Sequence, residues 1–500
     1  MTCTVTVLPA GRKLSAQPGE NLLTLLRSAN LAPEAPCGGN GKCGKCTVLI
    51  GGKPVLACGY TVSGDVTVHV TAAKTHARIL TDGYGAEVEP QPLRDGAMAA
   101  FDIGTTTVVC YLLEAGTGHL LAAASAVNPQ QSYGADVISR IQRALAGEME
   151  AQTRLIREQM GSLLGDACRQ AGVLPETVGV ISVVGNPCMQ QLFLGIMPEN
   201  LAKIPFAPVL TKAEVGEAGD IFPCCPHAAL VTVPDISGYV GADTVGCVLA
   251  SGLDREEKRT LLVDIGTNGE MAAGGADGFL VTSAAAGPVF EGGNISCGVA
   301  GVPGAVTNLV LERDPAATGG IRTVELSTIA GETPIGLCGT GIIDAVGEAV
   351  RLGLIDENGT FEEPWFTDGM PVAEGRFRFR QEDVRQVQMG KAAIRAGIET
   401  LLAESGGEDP EEILIAGGFG FRMDEEQAIR IGLFPEQFRG HITMIGNSAL
   451  AGAERYLLDD RTAAKQRLAS ITGRAQELSL AMHPKFNELY LDEMFFDTDR

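Results

Sequence analysis

A short motif occurs twice in this chain and constrains most of its fold. The segments AAFDIGTTTVV at 99–109 and LLVDIGTNGEM at 261–271 share the core Asp-Ile-Gly-Thr, and their aspartates, Asp102 and Asp264, lie 162 residues apart. In each copy an apolar stretch typical of a buried strand ends at the carboxylate, and a glycine turn follows. Two copies of one strand–loop–strand unit, each opening an α/β segment, predict an internally duplicated fold. We expect the two halves to face each other across a ligand-binding cleft.

The residues that follow each aspartate suit a phosphate group. A phosphate site needs backbone N–H donors in a tight turn without an obstructing side chain, and nearby hydroxyl or amide groups add further donors. The predicted nucleotide-binding residues in the two loops are Gly104, Thr105, Thr106, Thr107, Gly266, Thr267, Asn268 and Gly269. Asp102 and Asp264 are the predicted catalytic residues, because Mg²⁺ prefers carboxylate and phosphate oxygens. A single such motif is more often a plain β-turn, so the prediction rests on the pair.

Two more glycine-rich segments fit the same kind of site. ILIAGGFG at 413–420 would let an adenine ring and ribose lie against backbone. GLCGTGIIDAVGEAV at 336–350 is a glycine turn leading into a helix, whose N-terminal N–H groups suit an anion. The predicted contacts are Gly417 and Gly418 in the first segment and Gly339, Thr340 and Gly341 in the second. VVGNPCMQQLF at 183–193 is the matching strand-to-helix segment of the first half. Tight helix packing at glycine is the alternative interpretation of each segment.

Four cysteines cluster near the N-terminus. Cys37, Cys43, Cys46 and Cys58 follow the pattern C-x₅-C-x₂-C-x₁₁-C. Four thiolates complete a [2Fe–2S] cluster, and the glycines between the first three let the backbone wrap around it. A zinc knuckle is the alternative, but zinc sites usually pair two C-x₂-C knuckles or include histidine. A helical segment precedes the loop and a hairpin follows it, as in a plant-type ferredoxin, so we predict these four cysteines as iron ligands.

Changes in pattern divide the chain into parts. Residues 1–70 are typical of a small α/β unit, and residues 71–99 have the character of a linker because they contain no long periodic run. Residues 100–500 alternate strand and helix patterns, and we predict an ATP-binding domain with halves at about 100–250 and 251–500. Little chain remains between the linker and this domain, so we expect a separate middle domain to be reduced or absent.

The composition restricts partners and location. A net charge of −23 and a pI of about 4.7 oppose binding to nucleic acid or anionic lipid. The chain has no run of about 18 apolar residues, and its N-terminus lacks the pattern of a signal peptide. We therefore expect a cytoplasmic protein with neither nucleic acid nor membrane as a partner. In a reducing compartment the thirteen cysteines favour a metal site and buried thiols over disulfides.

These motifs together resemble a known family. DIGTTT, DIGTNGE and IAGGFG look like the two phosphate motifs and the adenosine motif of the actin/sugar-kinase/Hsp70 superfamily, whose ATPase domain has duplicated RNase H-like halves. More specifically, the whole chain resembles the reductive activators of corrinoid-dependent methyltransferases, in which a β-grasp ferredoxin module is joined to such a domain. Further similar segments lie at 128–141, 234–243, 284–298, 446–453 and 483–496. No cysteine follows Cys338, so the chain resembles the branch with an N-terminal [2Fe–2S] cluster.

The resemblance implies an ATP-hydrolysing enzyme whose cofactors are a [2Fe–2S] cluster and ATP with Mg²⁺. Such an activator passes an electron to the Co(II) corrinoid of a methyltransferase or corrinoid protein and restores Co(I). ATP would supply the drive for this uphill reduction by favouring one conformation of the complex. The implied partners are the corrinoid protein and an upstream electron donor, and a homodimer is also compatible with the resemblance.

Two other functions compete with this one. A ferredoxin-type electron carrier or reductase subunit would explain residues 1–70 but would leave the duplicated phosphate loops without a role. A small-molecule kinase with a structural cluster would use the loops, but no general base for a substrate hydroxyl and no sugar-binding motif stand out. The acidic, glycine-rich segment 283–298 is either a lining turn of the ATP cleft or, through Glu291, a coupling element between that cleft and a docked corrinoid protein.

Overall fold

The computed structural model describes residues 2–29, 31–33, 35, 39, 41, 46–70, 90–91, 96–418 and 423–497, and the statements below refer to these residues. The predicted linker therefore lies largely outside the described residues. None of the described helices combines the length and the apolar character that a bilayer span requires.

The N-terminal module is a five-stranded sheet crossed by one helix. Its elements are β1 (Cys3–Leu8), β2 (Arg12–Ala16), α1 (Leu22–Ser28), β3 (Thr47–Ile50), β4 (Lys53–Leu56) and β5 (Val66–His69). The strand order is β2-β1-β5-β3-β4, with a parallel pair at β1 and β5. Helix α1 begins where the Asn21 side chain accepts a hydrogen bond from the Thr24 N–H, and its four leucines are buried against the sheet. This is the expected β-grasp arrangement.

A six-stranded sheet with helices follows from residue 97. Its strands are β6 (Ala97–Ile103), β7 (Thr107–Glu114), β8 (Leu120–Val127), β9 (Val178–Gly185), β10 (Glu214–Glu217) and β11 (Ala229–Thr232). Its helices are α2 (Val137–Arg143), α3 (Met149–Ala171), α4 (Pro187–Leu194) and α5 (Ala242–Ser251). Strand β6 lies near the middle of the order β10-β11-β9-β6-β7-β8, which explains its almost continuous apolar sequence.

A second six-stranded sheet is built from the C-terminal part. Its strands are β12 (Thr260–Ile265), β13 (Gly269–Gly275), β14 (Gly278–Ala284), β20 (Glu412–Ala416), β21 (Ile442–Gly446) and β22 (Ala475–Glu477). Between them lie β15 (Ala305–Arg313), β16 (Ile321–Thr328), β17 (Gly336–Leu337), β18 (Met370–Val372) and β19 (Phe377–Phe379). The helices are α6 (Gly339–Arg351), α7 (Trp365–Asp368), α8 (Gln381–Glu404), α9 (Glu425–Arg430), α10 (Ser448–Leu458), α11 (Arg461–Arg474) and α12 (Pro484–Asp492).

The two large sheets repeat one topology. The order β8-β7-β6-β9-β11 in the first corresponds to β14-β13-β12-β20-β21 in the second. In each sheet the first three strands are antiparallel and the next two continue in parallel with the first strand. Asp102 and Asp264 each lie one residue before the end of the first strand of their sheet. The predicted duplicated α/β fold is confirmed.

The two halves pack through helices α5 and α10. An ideal Cβ placed on Gly246 would lie 2.7 Å from the Ala449 carbonyl oxygen, and one on Gly452 would lie 2.2 Å from the Gly246 carbonyl oxygen. Only glycine permits this close approach of two backbones. Aliphatic side chains of both halves also share one core, in which Val180 and Val245 pack with Leu262. These contacts bring the ends of β6 and β12 to one cleft.

Candidate functional site

The predicted phosphate loops meet at a cleft between the two halves. The loop after β6 and the loop after β12 line opposite sides of it, and the start of α6 and the end of β20 complete the wall. The predicted residues that line the cleft are Asp102, Gly104, Thr105, Thr107, Asp264, Gly266, Thr267, Asn268, Gly339, Thr340, Gly417 and Gly418. Segments that are far apart in sequence thus converge at one place.

Three other predicted residues do not line the cleft. Thr106 lies between the two loops, and its hydroxyl is 3.1 Å from that of Thr267. Gly269 and Gly341 are packing residues. A Cβ on Gly269 would lie 2.1 Å from the Ile394 Cδ1 atom, and a Cβ on Gly341 would lie 2.3 Å from the Val306 carbonyl oxygen. The alternative interpretation of tight packing therefore describes these two glycines.

One carboxylate connects both phosphate loops. Glu291 Oε2 accepts a hydrogen bond of 2.8 Å from the Thr106 hydroxyl and a second one from the Thr267 hydroxyl. Glu291 ends a short turn, Pro288–Glu291, that is flanked by Gly287 at φ 74° and Gly292 at φ 82°. The acidic, glycine-rich segment thus reaches the cleft itself, where Glu291 also lines the wall.

The two strand-end aspartates are buried and differently partnered. Asp102 Oδ2 accepts a hydrogen bond of 2.8 Å from the Asn447 side-chain amide, which comes from the other half of the fold. Asp264 Oδ2 lies 3.3 Å from the Cys247 thiol, which donates to it. The pKa of both carboxyls is raised to about 7, chiefly by burial; nearby carboxylates also raise it, and the hydrogen bonds lower it.

Three more carboxylates lie in the same cleft. They are Asp243 at the start of α5, Glu270 in β13 and Glu291. Burial raises the pKa of each, to about 6 for Asp243. No lysine or arginine is among the described residues that line the cleft, so an ionised cluster of this kind favours a bound cation.

The geometry also restricts how a cation could be held. No three His, Cys, Asp or Glu residues in the described part of the chain converge as a set of direct metal ligands. Mg²⁺ commonly keeps several waters and binds through one or two carboxylates together with phosphate oxygens, so it does not need three direct protein ligands. The sequence patterns do not indicate Asp243 and Glu270 as site residues, although Asp243 ends the segment 234–243 and Glu270 directly follows Gly269.

Side chains from two other segments hold the first phosphate loop in its conformation. The Asn128 amide donates to the Gly104 carbonyl at 2.8 Å, and the Asn186 amide donates to the Thr105 hydroxyl at 3.1 Å. The buried Arg140 guanidinium donates to the carbonyls of Thr105 and Gly134. The segments 128–141 and 183–193 therefore position the loop by side-chain hydrogen bonds to its backbone and hydroxyl groups.

The predicted adenosine segment is partly described. Gly417, at φ 117°, packs on the end of β12, since a Cβ there would lie 2.5 Å from the Ile265 carbonyl oxygen. Gly418 has no heavy atom within 4 Å of an ideal Cβ and faces open space in the cleft. Residues 419–422 lie outside the described residues.

Two of the four predicted iron ligands are described. Cys37 and Cys43 lie outside the described residues. Cys46 is buried and its carbonyl accepts a hydrogen bond from the Ala57 N–H at 2.9 Å, which places Cys58 beside it across the β3–β4 hairpin. The Cys46 and Cys58 thiols are not in disulfides. Two neighbouring cysteines that are not in disulfides, one of them buried, fit a share of the ligands of an iron–sulfur cluster.

Three family models match the chain. A model described as a 2Fe-2S iron-sulfur cluster binding domain matches residues 5–67, one described as the RACo middle region matches 97–256, and one described as the C-terminal domain of RACo, the ASKHA domain, matches 258–500. The region that carries the description of a middle region contains the whole first sheet, and it therefore corresponds to the first half of the duplicated fold.

Similar proteins agree with these matches. The corrinoid activation enzyme RamQ of Eubacterium limosum is 35% identical over 425 residues, which cover 79% of this chain and 70% of that protein. The [Co(II) methylated amine-specific corrinoid protein] reductase of Methanosarcina barkeri is 30% identical over 349 residues, 64% of this chain and 63% of that protein. A solved structure, the reductive activator for corrinoid,iron-sulfur protein, shares the fold with a TM-score of 0.74 and 23% identity, covering 99% of this chain and 98% of that one.

Fold and site together define a class of protein: a [2Fe–2S] ferredoxin module joined to a nucleotide-binding domain of the ASKHA type. The family within this class follows from the relative of Eubacterium limosum, because the similarity extends over most of both chains. The chain belongs to the family of corrinoid activation enzymes, the reductive activators.

Proposed function

We propose that this protein is an ATP-dependent reductive activator of a corrinoid protein or corrinoid-dependent methyltransferase. It passes one electron to the Co(II) corrinoid of its partner and returns that corrinoid to Co(I). The observation that carries the proposal is the convergence of both phosphate loops at one carboxylate-lined cleft, in a chain that also bears a ferredoxin module. Membership in the family of corrinoid activation enzymes supports the choice of substrate.

Different residues of the cleft bind different parts of Mg-ATP. The loop amides and the hydroxyls of Thr105 and Thr107 bind phosphate oxygens. Asp102 and Asp264 would hold Mg²⁺, whose charge would neutralise the phosphates and the buried carboxylates together. Gly418 leaves space for the adenosine.

Nucleotide binding has a direct structural consequence at Glu291. The hydroxyls of Thr106 and Thr267 both donate to Glu291. Phosphate oxygens between the loops are strong competing acceptors for these two donors. Release of Glu291 would free the segment 283–298 to take another position, which is how the occupancy of the cleft can change the conformation of the complex.

The energetic demand on this change is modest. When bound, the cluster supplies a one-electron donor with a potential of about −400 mV, a typical plant-type value. For one electron, a gap of ~100 mV to the corrinoid corresponds to about 2.3 kcal/mol. A nucleotide that prefers one conformation by a few kcal/mol supplies this amount.

The dependence of ATP turnover on a second component tests the proposal. Phosphate release is measured under anaerobic conditions with the protein alone, with a Co(II) corrinoid protein, and with a panel of small alcohols and sugars. We expect stimulation by the corrinoid protein only. Stimulation by an alcohol would indicate the small-molecule kinase, and the absence of any ATP turnover or binding would leave the electron carrier.

A further inference from the structure

The ferredoxin module contacts the first half of the nucleotide-binding domain through an arginine. Arg27 lies in the last turn of α1 and is 4% exposed. Its guanidinium carbon lies 4.9 Å from the centroid of the Tyr133 ring, a cation–π contact. Tyr133 belongs to the segment 128–141, whose other residues hold the first phosphate loop. The module thus rests on the element that shapes the ATP site.

A second arginine lies close to Gly39 in the cysteine-rich segment. Gly39, which lies between Cys37 and Cys43 in the sequence, would bring an ideal Cβ to 3.2 Å from Arg143 Nη2 and to 3.7 Å from Arg27 Nη2. Arg143 is the last residue of α2 and belongs to the nucleotide-binding domain. Two guanidinium groups, one from each domain, therefore lie beside Gly39, a described residue between two of the predicted iron ligands.

The Arg27 guanidinium is incompletely paired in this position. Its Nε and Nη2 atoms are buried, and among the described residues no acceptor lies within hydrogen-bond distance of them. Among the described residues, the other charged group at this contact is Glu148, whose carboxylate lies 3.7 Å from Arg143 Nε. These two arginines and one glutamate carry a net positive charge. Burying an unpaired cation is costly, so the site favours an additional negative charge.

We propose that Arg27 and Arg143 make docking of the ferredoxin module dependent on the redox state of its [2Fe–2S] cluster. One-electron reduction adds one negative charge to the cluster. The Arg27 and Arg143 guanidinium groups stabilise that charge, and Arg27 does so the more strongly because it is buried, where the effective dielectric constant is lower than in water. Reduction therefore tightens docking, and by thermodynamic linkage docking raises the reduction potential of the cluster. This inference deepens the proposed function and rests on it only for the identity of the cluster.

Helix α2 connects this docking site to the ATP cleft. Arg143 lies at its C-terminal end, and Arg140, one turn earlier, is fully buried and donates to the Thr105 carbonyl of the first phosphate loop. Arg140 also donates to the Gly134 carbonyl, next to Tyr133, at 3.0 Å. A shift of α2 on docking is thereby transmitted to the loop through direct hydrogen bonds. We accordingly expect the affinity for nucleotide to depend on the redox state of the cluster.

The midpoint potential of the cluster tests the docking step. It is measured on the full-length, cluster-loaded protein by dithionite titration for wild type, Arg143→Gln, Arg143→Glu and the control Arg154→Gln. Arg154 is more exposed and pairs with Glu158 on the surface of α3. We expect a lower potential for Arg143→Gln, a larger shift for Arg143→Glu and no shift for the control. Because Arg143 is outside the ferredoxin module, an unchanged potential in Arg143→Glu would overturn the proposal.

Nucleotide affinity tests the connection through α2. The Kd of a slowly hydrolysed ATP analogue is measured for oxidised and reduced protein by calorimetry. We expect the two Kd values to differ in wild type and in Arg154→Gln, and to become equal in Arg143→Gln. Equal values in wild type, or an undiminished difference in Arg143→Gln, would contradict the connection. Neither experiment contains a corrinoid protein. The proposed function is tested separately, by phosphate release with and without a corrinoid protein, so the two proposals can fail independently.

Discussion

Asp102 and Asp264 show how single buried carboxyls link function to stability. Their pKa values in the folded protein are about 7, against about 4 in an unfolded chain. A group whose pKa is raised on folding stabilises the fold below its unfolded pKa, and this contribution disappears as the pH rises through the folded pKa. As the pH rises from about 4 to about 7, the free energy of unfolding of the nucleotide-free protein should therefore decrease.

Replacing Asp264 with asparagine tests this relation. Asp264→Asn removes the cost of an ionised buried carboxylate, so the nucleotide-free variant should be more stable than wild type at pH 7.5 by a few kcal/mol. At pH 5 the difference should be smaller. The variant should also lose Mg-ATP hydrolysis while the cluster spectrum stays intact.

Thermal unfolding at both pH values and phosphate release provide these measurements. The exposed Asp277 offers a matched control, and Asp277→Asn should change neither quantity. Hydrolysis at the wild-type rate in Asp264→Asn would remove the role that we assign to this carboxylate.

The cysteine ligands are a second prediction at this scale. Cys46→Ser and Cys58→Ser should each abolish the visible absorption of the cluster, because a [2Fe–2S] cluster needs four ligands. Wild-type protein should contain about two irons per chain, and the exposed Cys224 should tolerate serine without loss of absorption. Zinc in place of iron, or about four irons, would contradict the assignment.

At the scale of elements, the sequence predicted more of the fold than of the site. The repeated Asp-Ile-Gly-Thr unit and the buried strand patterns were sufficient for the duplicated sheets, because a strand with two buried faces has an unmistakably apolar sequence. The roles of glycines near the start of a helix or after a strand were ambiguous in the sequence. Gly341 lies in the first turn of α6 and Gly418 follows β20, yet the first packs on the Val306 backbone and the second faces the cleft. The difference depends on neighbours that are distant in sequence.

Substitution of these two glycines separates the roles. Gly418→Val places a branched side chain in open space, so it should weaken nucleotide binding and leave the melting temperature unchanged. Gly341→Val forces a Cβ against the Val306 carbonyl oxygen and should lower the melting temperature instead. Calorimetric titration and thermal unfolding of both variants make the comparison. Equal effects of the two variants on nucleotide affinity and stability would show that the distinction is wrong.

At the scale of the whole molecule, contacts between distant parts define the site. Asn447 reaches Asp102 across the two halves, and Arg27 of the ferredoxin module contacts Tyr133. No local pattern in the sequence indicates such pairs, because each depends on how whole domains pack. The segments 446–453 and 128–141, which contain Asn447 and Tyr133, stood out only by resemblance, and the structure supplies their contacts. The segment 283–298 was interpreted either as a lining turn of the cleft or as a coupling element. Glu291 is relevant to both interpretations, because it lines the cleft and accepts hydrogen bonds from both phosphate loops.

Glu291 therefore carries a prediction about coupling. Glu291→Ala should retain ATP binding and cluster reduction but lose turnover stimulated by the corrinoid protein, because the loops are no longer connected to 283–298. Glu291→Gln keeps an acceptor oxygen for Thr106 and Thr267, so it should retain more stimulation than the alanine variant. Phosphate release with and without the partner measures both. Full stimulation of Glu291→Ala would assign this residue to the lining of the cleft alone.

The formation of Co(I) tests the central claim most directly. Chemically reduced, full-length protein is mixed anaerobically with a Co(II) corrinoid protein, with and without Mg-ATP, and the Co(I) absorption is followed in time. We predict Co(I) formation only when ATP is present, and none with Cys46→Ser or Asp264→Ala. Co(I) formation by wild type at the same rate and extent without ATP would contradict the activator mechanism and leave an electron carrier.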